Sequence, residues 1–220
     1  MDNYLVIETL PPEEIKYIYS LIDQFGEWQD GRVSYKGNDV TKINQQLRLT
    51  DSVKQKLADV VFSNVDNNDE FYGFTAARFS GTPMVTRTNI GGYYRPHHDS
   101  PDLGDYSTTL FLNNDYDGGE LCLWINGEEK KFKPTAGSSV TYKTGTPHCV
   151  NEVTKGHRDV IVFWTHSVIK DPFMMEMFRG LKQVSNLISH GKCETLMDVH
   201  ENPEFIIHSL MNSILRKSTN

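Results

Sequence analysis

The middle of the chain, residues 71–167, is a series of short apolar stretches separated by turn-forming residues, and this pattern restricts the possible folds more than any other feature. The stretches include TTLFLN, ELCLWIN, GSSVTY and DVIVFWTH, and glycine pairs occur in NIGGYY and YDGGEL. Evenly spaced short strands of this kind are typical of an antiparallel sandwich or barrel. We therefore predict a mainly β core over residues 71–167.

The N-terminal segment, residues 1–70, has a mixed pattern. YLVIETL predicts a short strand. Pro11 and Pro12 then precede apolar residues at helical spacing that continue to Phe25, and prolines are well tolerated in a first helical turn. Asp51 is placed to cap a second helix.

The C-terminal segment, residues 168–220, returns to helical periodicity. Asp171-Pro172 and Asn202-Pro203 each predict the start of a helix, and we expect their apolar sides to be packing surfaces. In the second of these helices the predicted apolar side comprises Ile206, Ile207, Leu210, Ile214 and Leu215. The chain is therefore predicted to combine a mixed helical support region (1–70), a β core (71–167) and a C-terminal helical extension (168–220), an α+β arrangement in which helices flank the core.

The composition narrows the class of protein. The 220 residues carry 22 basic and 29 acidic side chains, a formal net charge of −7, which disfavours a non-specific nucleic-acid binder. Three cysteines are too few for a disulfide framework or a four-cysteine zinc site. The N-terminus lacks the pattern of a signal peptide, and no apolar run reaches transmembrane length. We expect a soluble cytoplasmic protein with reduced thiols and no membrane segment.

Two histidines are followed two residues later by an aspartate: His97-x-Asp99 and His157-x-Asp159. A histidine and a carboxylate on one face of an extended strand can bind one divalent ion together. With eight histidines and 29 acidic residues, about one such pair is expected by chance, so neither pair identifies a metal site by itself.

The two pairs differ in their downstream sequence. Each aspartate is followed 49 residues later by a histidine, His148 in the first case and His208 in the second. His148 lies in TGTPHCVNEV, a turn that leads into a predicted strand, whereas His208 lies in a predicted helix. Arg158 comes ten residues after His148. The context therefore favours the first set.

Two histidines and one carboxylate on one face of an ion leave three coordination positions open, which suits Fe(II) and oxygen chemistry. A guanidinium one strand away can bind a carboxylate through paired hydrogen bonds. A keto acid bound to the metal at one end and to Arg158 at the other would be held rigidly.

The sequence resembles the Fe(II)- and 2-oxoglutarate-dependent dioxygenases, and among them the PKHD-type hydroxylases, which are relatives of the prolyl hydroxylases. The resemblance covers roughly residues 1–172. The matching segments, in order, are EWQDG, KINQQL, FYGFTAARFSGTPMVTRTNIGGYYRPHHDS, YSTTLFLNNDYDGGEL, KFKPTAGSSVTY and PHCVNEVTKGHRDVIVFWTHS.

This resemblance implies a double-stranded β-helix, the jelly roll shared with cupins, and a hydroxylase that uses Fe(II), 2-oxoglutarate and O2 and releases succinate and CO2. Ascorbate is expected to restore oxidised iron. The implied roles are iron binding by His97, Asp99 and His148, binding of the distal carboxylate of 2-oxoglutarate by Arg158, and pocket lining by Tyr94, Thr109 and Trp164.

One position departs from the family pattern. Related hydroxylases usually carry a tyrosine nine residues before the first metal ligand, and Thr88 occupies that position. A water, Tyr93 or Tyr94 would have to replace the missing hydroxyl. Asp99 agrees with the hydroxylase pattern, because related halogenating enzymes lack this carboxylate.

The relation to prolyl hydroxylases suggests a protein or peptide side chain such as proline, or a small molecule, as substrate. A nucleic-acid-modifying oxygenase is the alternative and requires a basic cluster at the pocket mouth, for which the candidates are Arg87, Arg95, Lys130, Lys131 and Lys133. A non-catalytic jelly-roll binding module is a further alternative, and succinate release distinguishes it from both enzymes.

Overall fold

A computed structural model describes residues 3–34, 41–190 and 203–218. The chain divides into two compact units, of which the first is Met1–Asn68 with Phe79–His166 and the second is Asp69–Arg78 with Ser167–Asn220. Asn202, where we predicted the start of the last helix, lies outside the described residues, and so does the side chain of Ile206.

Fifteen strands lie within the described residues. They are β1 (Tyr4–Glu8), β2 (Glu27–Asp30), β3 (Lys42–Ile43), β4 (Gln45–Arg48), β5 (Ala77–Ser80), β6 (Met84–Asn89), β7 (Tyr93–His97), β8 (Tyr106–Phe111), β9 (Asp117–Gly118), β10 (Leu121–Ile125), β11 (Glu128–Phe132), β12 (Ser138–Lys143), β13 (His148–Val150), β14 (Val153–Lys155) and β15 (His157–Ser167). The helices are α1 (Pro12–Phe25), α2 (Asp51–Val65), α3 (Asp69–Thr75), α4 (Pro172–Ser189) and α5 (Pro203–Ser218).

Two antiparallel sheets form the core of the first unit. The larger has the order β1-β12-β8-β15-β6-β4-β2, with β5 also paired to β15, and the smaller has the order β11-β10-β13-β7-β3. A third, two-stranded sheet pairs β14 with β9. Many neighbours in these sheets are distant in sequence, as the pairing of β1 with β12 shows. The predicted mainly β core is confirmed.

The alternation of side chains along β15 sends its residues to opposite sides of the larger sheet. On one side Val160 belongs to an apolar cluster that includes residues of the smaller sheet, such as Leu123. On the other side Asp159 accepts a hydrogen bond from Tyr19 of α1, and Phe163 meets Phe62 of α2 edge to face. One strand thus lines the space between the sheets and also supports the two helices.

The two helices of the first unit agree with the prediction apart from two differences. Helix α1 begins at Pro12 and buries Ile15, Ile18, Leu21 and Ile22, but Phe25, which we placed on the same side, is 42% exposed. Helix α2 begins at Asp51 itself, and Thr50 is its N-cap residue, so the predicted cap was one residue too late.

In the second unit, α4 starts as predicted: the Asp171 side chain accepts a hydrogen bond of 2.8 Å from the backbone N–H of Met174. Helix α5 buries Ile207, Met211 and Ile214. Leu210 is half-exposed, so its predicted place on the packed side was wrong. No described helix is long and apolar enough to cross a membrane.

Candidate metal centre and its cavity

Strand pairing between β7 and β13 brings two histidines together that are 51 residues apart in sequence. His97 and His148 are direct partners in the antiparallel register, and a bulge separates them from the next pair along the strands. Their ring centroids are 4.1 Å apart. The smaller sheet therefore fixes the distance between these two imidazoles.

Asp99 joins them from beyond the end of β7, which stops at His97. We predicted that strand alternation would place the carboxylate beside the imidazole, but two hydrogen bonds from the larger sheet hold it there. Asp99 Oδ2 accepts from Ser107 Oγ at 2.7 Å and from Trp164 Nε1 at 2.9 Å. Oδ1 then lies 3.9 Å from Nε2 of His97 and 3.8 Å from Nε2 of His148.

Backbone carbonyls orient both imidazoles. Nδ1 of His97 lies 2.9 Å from the carbonyl oxygen of Arg95, and Nδ1 of His148 lies 2.9 Å from that of Thr146. Because a carbonyl only accepts, each Nδ1 carries the proton and donates it, and each Nε2 keeps a lone pair facing Asp99. This is the tautomer that a metal ligand requires.

The electrostatics also favour metal binding. Burial, and after it the electrostatic effect of the neighbouring His148, lowers the pKa of His97 to about 4, so this imidazole is neutral at pH 7. One ligand atom from each of His97, Asp99 and His148 lies within 4.8 Å of the other two. Metal–ligand bonds of about 2.1 Å can span the separations between Asp99 and the two imidazoles. The three side chains therefore fit a divalent ion with open coordination positions.

The alternative pair forms a different structure. Asp159 is fully buried and accepts from Arg87 Nε at 2.7 Å and Arg87 Nη2 at 2.6 Å, with Tyr19 as a third donor at 3.2 Å. His157 lies beside the same carboxylate, while His208 belongs to the second unit. Among the described residues, the site around Asp99 is the only group of histidine, cysteine and acidic side chains suited to a metal.

A cavity of about 470 Å³ between the two sheets contains this centre and also Arg158. Arg158 is 3% exposed, pairs across the strands with Thr88, and places its guanidinium 5.1 Å from the Phe111 ring centroid. The Nε atom of Arg158 has no hydrogen-bond partner within the described structure. Burial lowers the pKa of Arg158. A buried cation without a carboxylate partner in the described chain can bind an anion.

The three predicted lining residues all border this cavity. Tyr94 stacks on His97, with ring centroids 3.6 Å apart and an interplanar angle of 20°. Thr109 is buried on β8. Trp164 does more than line the cavity, since its indole N–H is one of the two donors to Asp99.

Sequence reasoning missed polar residues of this cavity, among them Ser107, Tyr142 and Lys42. Ser107 is the second donor to Asp99. Tyr142 is buried on β12, and Lys42 is a buried ammonium on β3. Alternation along GSSVTY could have placed Tyr142 on the inner face, but Lys42 has no local signal, because only the pairing of β3 with β7 brings it to the site.

The basic cluster proposed for a nucleic-acid alternative does not form at the cavity. Arg87 binds the buried carboxylate of Asp159. Lys130 and Lys131 each pair with the glutamate two residues earlier, Lys133 donates to a backbone carbonyl, and Arg95 lies over a tyrosine ring. None of the five is among the described residues that line the cavity.

Comparison of sequences agrees with this geometry. Residues 83–166 match the model of the 2OG-Fe(II) oxygenase superfamily. A PKHD-type hydroxylase from Nitrobacter winogradskyi is 32% identical over 180 residues, which are 76% of this chain and 79% of that protein. Another from Prochlorococcus marinus strain NATL1A is 31% identical over 208 residues, 89% of this chain and 91% of that protein.

Solved structures share the fold. A Trichoplax adhaerens prolyl hydroxylase in complex with a peptide from the oxygen degradation domain of hypoxia inducible factor gives a TM-score of 0.60 at 17% identity, covering 82% of this chain and 87% of that chain. A Pseudomonas putida prolyl-4-hydroxylase gives a TM-score of 0.53 at 19% identity, covering 75% of this chain and 92% of that chain. The predicted jelly-roll fold is confirmed.

Proposed function

The chain belongs to the PKHD-type hydroxylases of the 2OG-Fe(II) oxygenase superfamily, and from this premise we propose that it hydroxylates a C–H bond of a protein or peptide side chain. Membership of this family makes the protein an oxidoreductase and implies Fe(II) as its cofactor and 2-oxoglutarate and O2 as its co-substrates. The single observation that supports the proposal best is the convergence of His97, Asp99 and His148, with the buried Arg158 in the same cavity.

The metal would be held by Nε2 of both histidines and by Oδ1 of Asp99. A bound Fe(II) would supply the activation of O2, which is the oxidant: one oxygen atom enters the substrate C–H bond, the other enters succinate, and 2-oxoglutarate loses CO2. The chain's own residues fix the ligands: Ser107 and Trp164 hold the second carboxylate oxygen, and backbone carbonyls hold the imidazole protons. This restraint supports open positions on one side of the ion.

Arg158 would bind the distal carboxylate of 2-oxoglutarate. Arg158 is buried with its guanidinium over the Phe111 ring, and a hydrogen bond between charged groups is stronger in such a low-dielectric setting than in water. Thr88, directly opposite on β6, is too short to replace the family's tyrosine hydroxyl. Tyr142 is buried and lines the same cavity as Arg158, and we propose that its hydroxyl takes that place.

The substrate class is proposed from the cavity and the relatives together. The cavity wall includes His98, Ser100 and Leu103, which lie beside or just after the metal ligands on the 97–103 segment and offer mixed polar and apolar contacts. A solved relative binds a peptide and shares this fold. We propose a proline or similar side chain in a peptide as the substrate, with a small molecule as the competing case, and ascorbate as the reductant that keeps the metal ferrous.

Succinate formation tests the proposal. Purified protein with Fe(II), 2-oxoglutarate and O2 should release succinate, and incubation with host-cell peptides should add one oxygen atom, detectable by mass spectrometry. His97→Ala and Asp99→Ala should abolish succinate release, whereas His157→Ala, in the alternative pair, should retain it. Undiminished release from both site variants would contradict the proposed centre.

A further inference from the structure

Lys42 places a second buried cation in the cavity. It lies on β3, is 5% exposed, and pairs in register with Tyr94 of β7. Its Nζ donates to Ser34 Oγ at 3.2 Å and lies 4.9 Å from the centroid of the Tyr94 ring, which itself stacks on His97. The ammonium is therefore near the metal ligands.

No carboxylate of the described chain lies within ion-pair distance of this ammonium. Asp99 and Asp30 are the two carboxylates whose charge raises the pKa of Lys42, but both have other partners. Asp99 is held by two donors and faces the imidazoles, and Asp30 forms an ion pair with Arg32. Burial lowers the pKa of Lys42, because removal of an ammonium from water is costly unless an anion compensates.

The two cations of the cavity have different surroundings. Arg158 lies on β15 with its guanidinium over the Phe111 ring, whereas Lys42 lies on β3 with its ammonium over the Tyr94 ring. A single 2-oxoglutarate uses one carboxylate at the metal and one at Arg158, which leaves the ammonium for another anion. We propose that Lys42 binds a carboxylate of the primary substrate, so that the enzyme acts on an acidic compound or a peptide with an acidic group; this rests on the proposed function.

Nuclear relaxation of small probes tests this site directly. The intact protein is loaded with paramagnetic Mn(II) in place of Fe(II) and with saturating 2-oxoglutarate. The relaxation rate of the methyl protons is then measured for acetate and for its neutral isostere acetamide. A hydrogen bond between charged groups should make the affinity of the site for acetate about tenfold or more higher than its affinity for acetamide. The methyl protons of acetate should therefore relax correspondingly faster. Lys42→Met, which keeps the apolar stem, should reduce acetate relaxation to the acetamide level, and Lys42→Arg should keep a clear preference.

Lys54→Met, at an exposed lysine of α2, is the matched control and should behave as wild type. Equal relaxation of the two probes in wild type, or undiminished acetate relaxation in Lys42→Met, would overturn the inference. If Lys42→Met does not fold, Lys42→Gln takes its place with the same expected result. A Lys42 variant that binds 2-oxoglutarate more weakly but still binds acetate would also overturn the inference, because the ammonium would then bind the co-substrate. A failure of the proposed function would be seen separately. In that case the wild-type protein would neither bind Mn(II) together with 2-oxoglutarate nor release succinate in the presence of Fe(II).

Discussion

Replacement of Trp164 with phenylalanine should weaken metal binding by removing one hydrogen bond. The indole N–H donates to Asp99 Oδ2 at 2.9 Å, and Ser107 Oγ donates to the same oxygen at 2.7 Å. A hydrogen bond to a charged acceptor contributes roughly 1.5–3 kcal/mol, and loss of a partner that orients a ligand typically lowers metal affinity about 10- to 100-fold. Since about 1.4 kcal/mol corresponds to tenfold, these two magnitudes agree.

The assay is a titration with Mn(II) in which free Mn(II) is measured by electron paramagnetic resonance. Trp164→Phe and Ser107→Ala should each raise the dissociation constant about 10- to 100-fold. The double variant should show non-additive losses, because both donors act on one oxygen. Trp28→Phe is the control: this ring lies over Arg87, away from the metal site, and phenylalanine preserves that contact. An unchanged dissociation constant in a folded Trp164→Phe protein would refute the positioning role.

Three further predictions concern the buried ionisable side chains of Arg158, Asp159 and His97. Arg158→Met should raise the dissociation constant of 2-oxoglutarate about 10- to 100-fold in a calorimetric titration and leave the affinity for Mn(II) unchanged. An unchanged dissociation constant of 2-oxoglutarate would show that Arg158 does not bind it. Asp159→Ala should lower the free energy of unfolding in urea by about 3 kcal/mol, because Arg87 loses its buried partner, whereas a loss below about 1 kcal/mol would show that water replaces it. In metal-free protein the pKa of His97 is lowered to about 4, so the unfolded state takes up its proton first, near the ordinary histidine value of 6.5. Stability should then fall by roughly 3 kcal/mol as the pH drops between these values, and His97→Gln should lose this dependence; an identical pH slope in the variant would contradict it.

The parts of this structure that local sequence determines were predicted. Alternating apolar stretches identified the β core, and Asp171 before Pro172 identified the start of α4. The first His-x-Asp pair was separated from the second by context, and the structure explains the difference. Asp159 is occupied by Arg87, while Asp99 keeps one oxygen directed at two imidazoles.

The parts that depend on pairing between distant strands were not predicted. Asp99 lies beyond its strand, and its position depends on donors from β8 and β15 that no local pattern reveals. Lys42 reaches the cavity only because β3 joins the edge of the smaller sheet beside β7. The exposed positions of Phe25 and Leu210 show that apolar spacing marks a helix face without deciding which residues at its margin are covered.

The most direct test of the account is a crystal structure of the protein grown without oxygen in the presence of Mn(II) and 2-oxoglutarate. We predict one metal ion bound by Nε2 of His97, Oδ1 of Asp99 and Nε2 of His148, with the distal carboxylate of 2-oxoglutarate on Arg158. A metal bound elsewhere, or a 2-oxoglutarate that does not contact Arg158, would contradict it.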